Sequence, residues 1–147
     1  MYDMGDAPLG YLLYRILAAL RPAVTAELRP LGLTLPGFVC LRSLSVSPGR
    51  SSADLARDAS ISPQSMNYVL LTLQEMGAVD RPATVSSGRA RPARLTTEGK
   101  TLLKKAEAAV GRAEDAVLSN LSAEKRRELK RLLNAVDHAP EAAHTNS

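Results

Sequence analysis

Between residues 51 and 77 the chain carries two helix starts and one helix stop with almost no spacer between them. Ser51 and Ser52 are cap candidates ahead of Ala53, Leu55, Ala56 and Ala59, and Asp54 complements the positive end of that helix. Ser62 is a second cap, with Pro63 at the first helical position. A serine oxygen placed there accepts a backbone N–H that has no partner within the helix. Proline loses nothing at that position, because its missing N–H is one of those orphans. Met66, Val69, Leu70, Leu73 and Met76 follow at helical spacing, and Gly77 stands where a glycine stop belongs. The small side chains of the first helix let the second approach closely. Two short helices joined by a tight turn are the expected outcome.

The flanking segments set the fold around this pair. Leu9, Leu12, Leu13, Ile16, Leu17 and Leu20 form one apolar helix stripe. Pro22 is expected to bend or stagger that helix, because it removes an amide donor and crowds the preceding turn, and Pro30 complicates its end. Thr34 caps a further helix with Pro36 in its first turn. That helix carries Phe38, Val39, Leu41, Leu44 and Val46 and is closed by Ser47-Pro48-Gly49. Past Gly77 the pattern changes: 78–85 reads as a strand, Ser86-Ser87-Gly88 as a turn and 89–95 as the returning strand. Pro82 and Pro92 confine this hairpin to an edge. Thr96 or Thr97 caps a long helix with Leu102, Leu103, Ala106, Ala109, Val110, Ala113, Val117 and Leu118, and Ser122 opens a last one. The expected fold is mainly α with a small two-stranded β wing. A winged helix-turn-helix lobe at 34–95 lies between dimerisation helices at 9–30 and 97–138, all within a single domain at 9–138, with flexible tails at 1–8 and 139–147.

Composition narrows the class. A chain of 147 residues can bury one core but not two. Aromatic residues make up 3% of it, with one Phe and no Trp, so the core must be Leu, Val, Ile, Ala and Met, which leans towards helix. Nineteen Lys and Arg against fifteen Asp and Glu leave a net charge of +4, which permits nucleic-acid binding without demanding it. A single cysteine, Cys40, excludes an intrachain disulfide and a cysteine-based zinc site. No nucleophile motif, phosphate-cradling glycine loop or metal-ligand spacing occurs, and His138 and His144 lie at or beyond the last helix. No catalytic residue, metal or cofactor is expected, and the chain is not read as an enzyme. The apolar stretch 9–20 is too short to cross a membrane and contains Arg15, and Asp3 and Asp6 are unlike a signal peptide, so a cytoplasmic protein is expected.

Several short stretches, in this order and spacing, resemble the MarR family of transcriptional regulators. They are Leu31-Gly32-Leu33-Thr34, Ser52-Ala53-Asp54-Leu55-Ala56, Ile61-Ser62-Pro63-Gln64-Ser65-Met66, Leu73-Gln74-Glu75-Met76-Gly77-Ala78-Val79, and Leu95-Thr96-Thr97-Glu98-Gly99. The resemblance covers roughly 9–138. It implies a homodimer with interlocking terminal helices, a palindromic DNA operator, and repression relieved by small phenolic or carboxylate ligands.

Candidate residues follow. The segment from Pro63 to Gly77 contains no Lys or Arg, whereas many family members carry an arginine there. Base reading then falls to Gln64, Ser65, Asn67 and Tyr68 behind the leading turn at Ser62 and Pro63; Gln and Asn pair with adenine edges. Tyr68 has packed core as its alternative. Phosphate contact falls to Arg50, Ser51, Ser52 and Arg57 about the bracing helix and to Arg89, Arg91 and Arg94 in the wing, although exposed arginines at a hairpin tip are often only solvated. Leu9, Leu12, Leu13, Ile16 and Leu17, with Leu121, Leu129, Leu132, Leu133 and Val136, exceed what a small lobe can cover and are assigned to the dimer interface. Tyr11, Tyr14, Arg15, Phe38 and Arg81 are candidates for an aromatic carboxylate, where the dimerisation helices meet the lobe; Arg15 has a surface or DNA-facing charge as its alternative. Two other functions remain open: a winged-helix module that binds protein instead of DNA, and a redox sensor acting through Cys40. Against the second, a cysteine between Val39 and Leu41 in an apolar helix is usually inert packing.

Overall fold

The computed structural model describes residues 4–81 and 92–137. Its helices are α1 (Leu9–Leu28), α2 (Leu35–Val46), α3 (Ser52–Ala59), α4 (Pro63–Glu75), α5 (Thr97–Val117) and α6 (Ala123–Asp137), with strands β1 (Val79–Asp80) and β2 (Arg94–Leu95) between α4 and α5. The strands pair antiparallel, Val79 opposite Leu95 and Asp80 opposite Arg94. This is the mainly α, winged arrangement expected. Residues 4–6 of the expected N-terminal tail form a single 3-10 turn. The hairpin turn, Pro82, Arg89, Arg91, His138 and the tail 139–147 lie outside the described residues.

One device starts five of the helices. Thr34, Ser51, Ser62, Thr96 and Ser122 each accept the backbone N–H three residues on, from Gly37, Asp54, Ser65, Gly99 and Lys125, at 2.9–3.2 Å. Each such cap contributes about 1 kcal/mol. Of the paired candidates, Ser51 and Thr96 are the caps, and Ser52 and Thr97 are the first helical residues. Helix α1 runs through Pro22 without interruption to Leu28, and Pro30 falls in the 3-10 turn that follows. Pro22 itself is exposed, while Ala23 and Val24 beside it pack into the core.

The core gathers Leu28, Cys40, Leu41, Leu44, Leu55, Met66, Leu70 and Leu73, all essentially inaccessible, with Leu103, Ala106, Ala109 and Ala113 from α5. Helix α5 lies along α1 and also touches α2, so it joins the long helices to the lobe. The join is tight at one point. Thr96 caps α5, donates its hydroxyl to the Gly77 carbonyl and donates its backbone N–H to Ala78. A Cβ on Gly99 would overlap the Ala78 carbonyl, so only glycine lets α5 start there. The stop of α4 and the start of α5 are thereby fastened together. Among the described residues no helix is long and apolar enough to cross a membrane.

Candidate nucleic-acid interface

The turn between α3 and α4 is made by Ser60, whose φ of 54° is left-handed, a rare conformation for a residue with a side chain. Its N–H closes α3 on the carbonyls of Ala56 and Arg57. Two residues later Ser62 caps α4, and its hydroxyl also donates to the Ser65 hydroxyl at 2.9 Å. Both ends of the turn are satisfied locally, so α4 is held firmly at its leading edge.

Helix α4 is two-sided. Met66, Leu70 and Leu73 are buried against α3 and α2. Gln64, Ser65, Asn67 and Tyr68 are exposed, as is Leu71. Tyr68 is 73% exposed, which removes the packed-core alternative. The Thr72 hydroxyl turns back to the Tyr68 carbonyl, leaving the outer face to these five side chains. Leu71 was not expected there. Its neighbour Leu70 carries the buried position, and the signal for Leu71 is its spacing of seven from Gln64 and four from Asn67.

The cations around this face differ in their commitments. Arg50 grips Asp58 through two hydrogen bonds, at 2.8 and 2.9 Å, bracing the loop before α3 against its far end. Arg57 pairs with Asp54 on the preceding turn. The Asp54 carboxyl is held below its usual range, first by the Ser51 hydroxyl and then by the Arg57 and Arg50 charges. Ser51 spends its oxygen as a cap, and Ser51 and Ser52 are half-buried. Arg94 is exposed on β2.

The five residues expected to hold a ligand are not brought together within one chain. Tyr11, Tyr14 and Arg15 are exposed on the first turns of α1, with the Arg15 guanidinium 6.0 Å from the Tyr11 ring centre. Phe38 packs partly into the core from α2. Arg81 follows β1, its Nε buried without a hydrogen-bond partner among the described residues. The cleft between α2, β2 and α5 has a volume of about 550 Å³ and is lined by other groups: Arg42, Leu44, Ser45, Pro48, Arg94, Leu95, Lys100, Leu103, Lys104 and Glu107. Arg42 crosses it to Glu107 at 2.8 Å. Four cations against one carboxylate make this cleft attractive to an anion, and its leucines offer a ring an apolar wall. Lys100 and Lys104, one helix turn apart on α5, were the overlooked signal.

Three other expectations have a definite location. Leu9, Leu13, Ile16 and Leu17 on α1, and Leu132, Leu133 and Val136 on α6, are exposed apolar side chains, while Leu12, Leu121 and Leu129 are half-buried. Helix α6 buries no residue at all. Cys40 is fully enclosed, and burial pushes its thiol up to about 12 against a weaker opposing pull from Arg81. A thiol so rarely ionised is a poor nucleophile at neutral pH, which weighs against redox sensing. No group of three His, Cys, Asp or Glu able to hold a metal occurs among the described residues.

Comparison with known proteins places this geometry in company. A sequence model of the MarR family matches residues 33–90. The HTH-type transcriptional repressor Rv2887 of Mycobacterium tuberculosis is 63% identical over 128 residues, covering 87% of this chain and 92% of that protein. The crystal structure of the Mycobacterium tuberculosis MarR family protein Rv2887 in complex with salicylic acid superposes with a TM-score of 0.77. Its sequence identity is 60%, over 91% of this chain and 99% of that one. The complex of the same protein with DNA gives a TM-score of 0.75 at 57% identity, over 89% and 98% of the two chains.

Proposed function

The chain belongs to the MarR family, and from that premise we propose that it is a transcriptional repressor that binds a palindromic DNA operator as a homodimer and is released by a small aromatic carboxylate. The observation that carries this reading is α4. It is a capped helix whose outer face bears Gln64, Ser65, Asn67 and Tyr68 in solvent, braced from behind by α3 and followed directly by the strands of a wing. Such a helix fits the major groove with its leading turn at the base edges. A similar repressor crystallised with DNA supports the same use here.

The helix itself contributes no cation, so phosphate attraction comes from its surroundings. Arg94 lies at the base of the wing, and Arg89 and Arg91 are further along it in sequence. Arg50 and Arg57, tied to Asp58 and Asp54, mainly stiffen α3, with Arg57 the more exposed of the two. Two copies joined through the exposed apolar faces of α1 and α6 would set their α4 helices about 34–36 Å apart, one turn of DNA.

The effector site follows from the cleft of Arg42, Arg94, Lys100 and Lys104. A carboxylate bound there competes with Glu107 for Arg42 and draws Arg94, a wing residue, inward. Salicylic and p-aminosalicylic acids bound to the similar Rv2887 support that chemical class. Binding DNA and a small acid requires no bond-making, so the protein acts as a regulator, not an enzyme, in the cytoplasm beside the chromosome.

Fluorescence anisotropy on the DNA upstream of its own gene and on a scrambled duplex, at two salt concentrations, tests the reading. Tight, salt-sensitive binding that prefers the upstream duplex supports it. Arg89→Ala is expected to weaken both duplexes alike, and Gln64→Ala to change the preference between them; equal loss on both for Gln64→Ala ends that division of labour. Millimolar salicylate that neither raises Tm nor releases DNA would remove the effector from the reading.

A further inference from the structure

Gln64, Asn67, Tyr68 and Leu71 stand three, four and seven residues apart on α4, and all four side chains are exposed. At 3.6 residues per turn this spacing makes one stripe, rising about 10 Å from Gln64 to Leu71. Base pairs stack about 3.4 Å apart, so the stripe spans about three of them. Its chemistry is unusual for a groove-reading face. Two carboxamides are followed along the helix by two large, mostly apolar side chains, Tyr68 at 73% and Leu71 at 56% exposure, while the buried side of the helix already has Met66, Leu70 and Leu73. The apolar pair is therefore not needed by the core of this chain.

The major groove offers one apolar group, the C5 methyl of thymine. It offers one paired donor and acceptor suited to a carboxamide, N6 and N7 of adenine. Guanine presents two acceptors and calls for a cation, which α4 lacks from end to end. Cytosine presents a donor suited to a carboxylate, and the only carboxylate on α4 is Glu75, its last residue. The stripe thus matches both members of an A·T pair, whereas on a G·C pair its carboxamides can make only single hydrogen bonds and its apolar side chains find no methyl.

We propose that α4 reads a run of A·T pairs at the centre of each half-site, with Gln64 and Asn67 on adenine and Leu71 and Tyr68 against thymine methyls, which makes Leu71 a specificity-determining residue. The inference rests on the DNA-binding reading above and adds to it the base composition that is recognised.

The full-length protein is used to select duplexes from a random library, and the retained pool is sequenced. Half-sites with at least two adjacent A·T pairs at their centre are expected, and a G·C centre overturns the proposal. The thymines of the selected duplex are then replaced singly by uracil, which keeps the base pair and removes only the methyl. Wild-type binding should weaken roughly threefold to fivefold at a contacted thymine. Leu71→Ala, an exposed position that should leave Tm unchanged, alters both half-sites of the bound dimer, so it should bind the thymine duplex roughly tenfold to twenty-fivefold more weakly, the square of the single-thymine effect, and be indifferent to uracil at the contacted thymine of either half-site. Undiminished uracil sensitivity in Leu71→Ala overturns the methyl contact. Retention of no duplex at any salt overturns the DNA-binding reading itself, and this proposal with it.

Discussion

Leu70 and Leu132 are the same side chain on helices of similar length, and their environments are opposite. Leu70 on α4 is fully enclosed, whereas Leu132 on α6 is 56% exposed. The contrast extends to whole regions. The lobe of α2, α3 and α4 closes its own core with Leu55, Met66 and Leu73, whereas α6 and the first half of α1 bury nothing. One region satisfies its hydrophobic pattern within the chain, and the other leaves its pattern exposed, as the proposed dimer requires. An amphipathic stripe in a sequence therefore says that a face will be buried, but not by which chain.

Four measurements break or sharpen this comparison. The largest effect is expected inside the lobe. Leu70→Ala should cost about 2–5 kcal/mol in denaturant unfolding, because the enclosed site cannot collapse around the void. A loss below 1 kcal/mol would mean that the lobe is not the self-contained half. Next comes the opposite region, where Leu132→Glu with Leu133→Glu should convert the dimer into a monomer in sedimentation. Each leucine withdrawn from burial removes about 1.5–3 kcal/mol of interface. A dimer that persists, with α6 still helical by circular dichroism, would move the interface elsewhere.

The third effect belongs to local chemistry that neither core supplies. Ser62→Ala leaves the Ser65 N–H uncapped and should destabilise by about 1 kcal/mol, weakening DNA binding through fraying of the first turn of α4. Unchanged stability with lost DNA binding would instead make Ser62 a direct contact. The smallest is a pH effect at α3. The folded pKa of Asp54 is lowered, so its contribution is complete above the unfolded value near 3.8 and is lost as pH falls through the lower folded value. The difference in urea midpoint between wild type and Asp54→Asn should therefore shrink as pH falls from 5 to 2. A constant difference would leave the cap indifferent to charge.

The sequence determined the parts of this protein whose causes are local. Serine and threonine caps act over three residues, a glycine stop over two and an apolar stripe over a few turns. That is why Thr34, Ser62, Gly77 and the positions of the helices among the described residues are legible in the sequence. The left-handed Ser60 was not, because glycine takes such a turn more readily than serine. Tertiary structure alone decided which arginines are committed. Arg50 and Arg57 read in sequence as phosphate contacts about the bracing helix, yet carboxylates on α3 hold them. It also brought Arg42, Arg94 and Lys100 around one cleft, since they meet only when α2, β2 and α5 converge. Charge acts through space, and the chain's order says little about which charges will face each other once the helices cross.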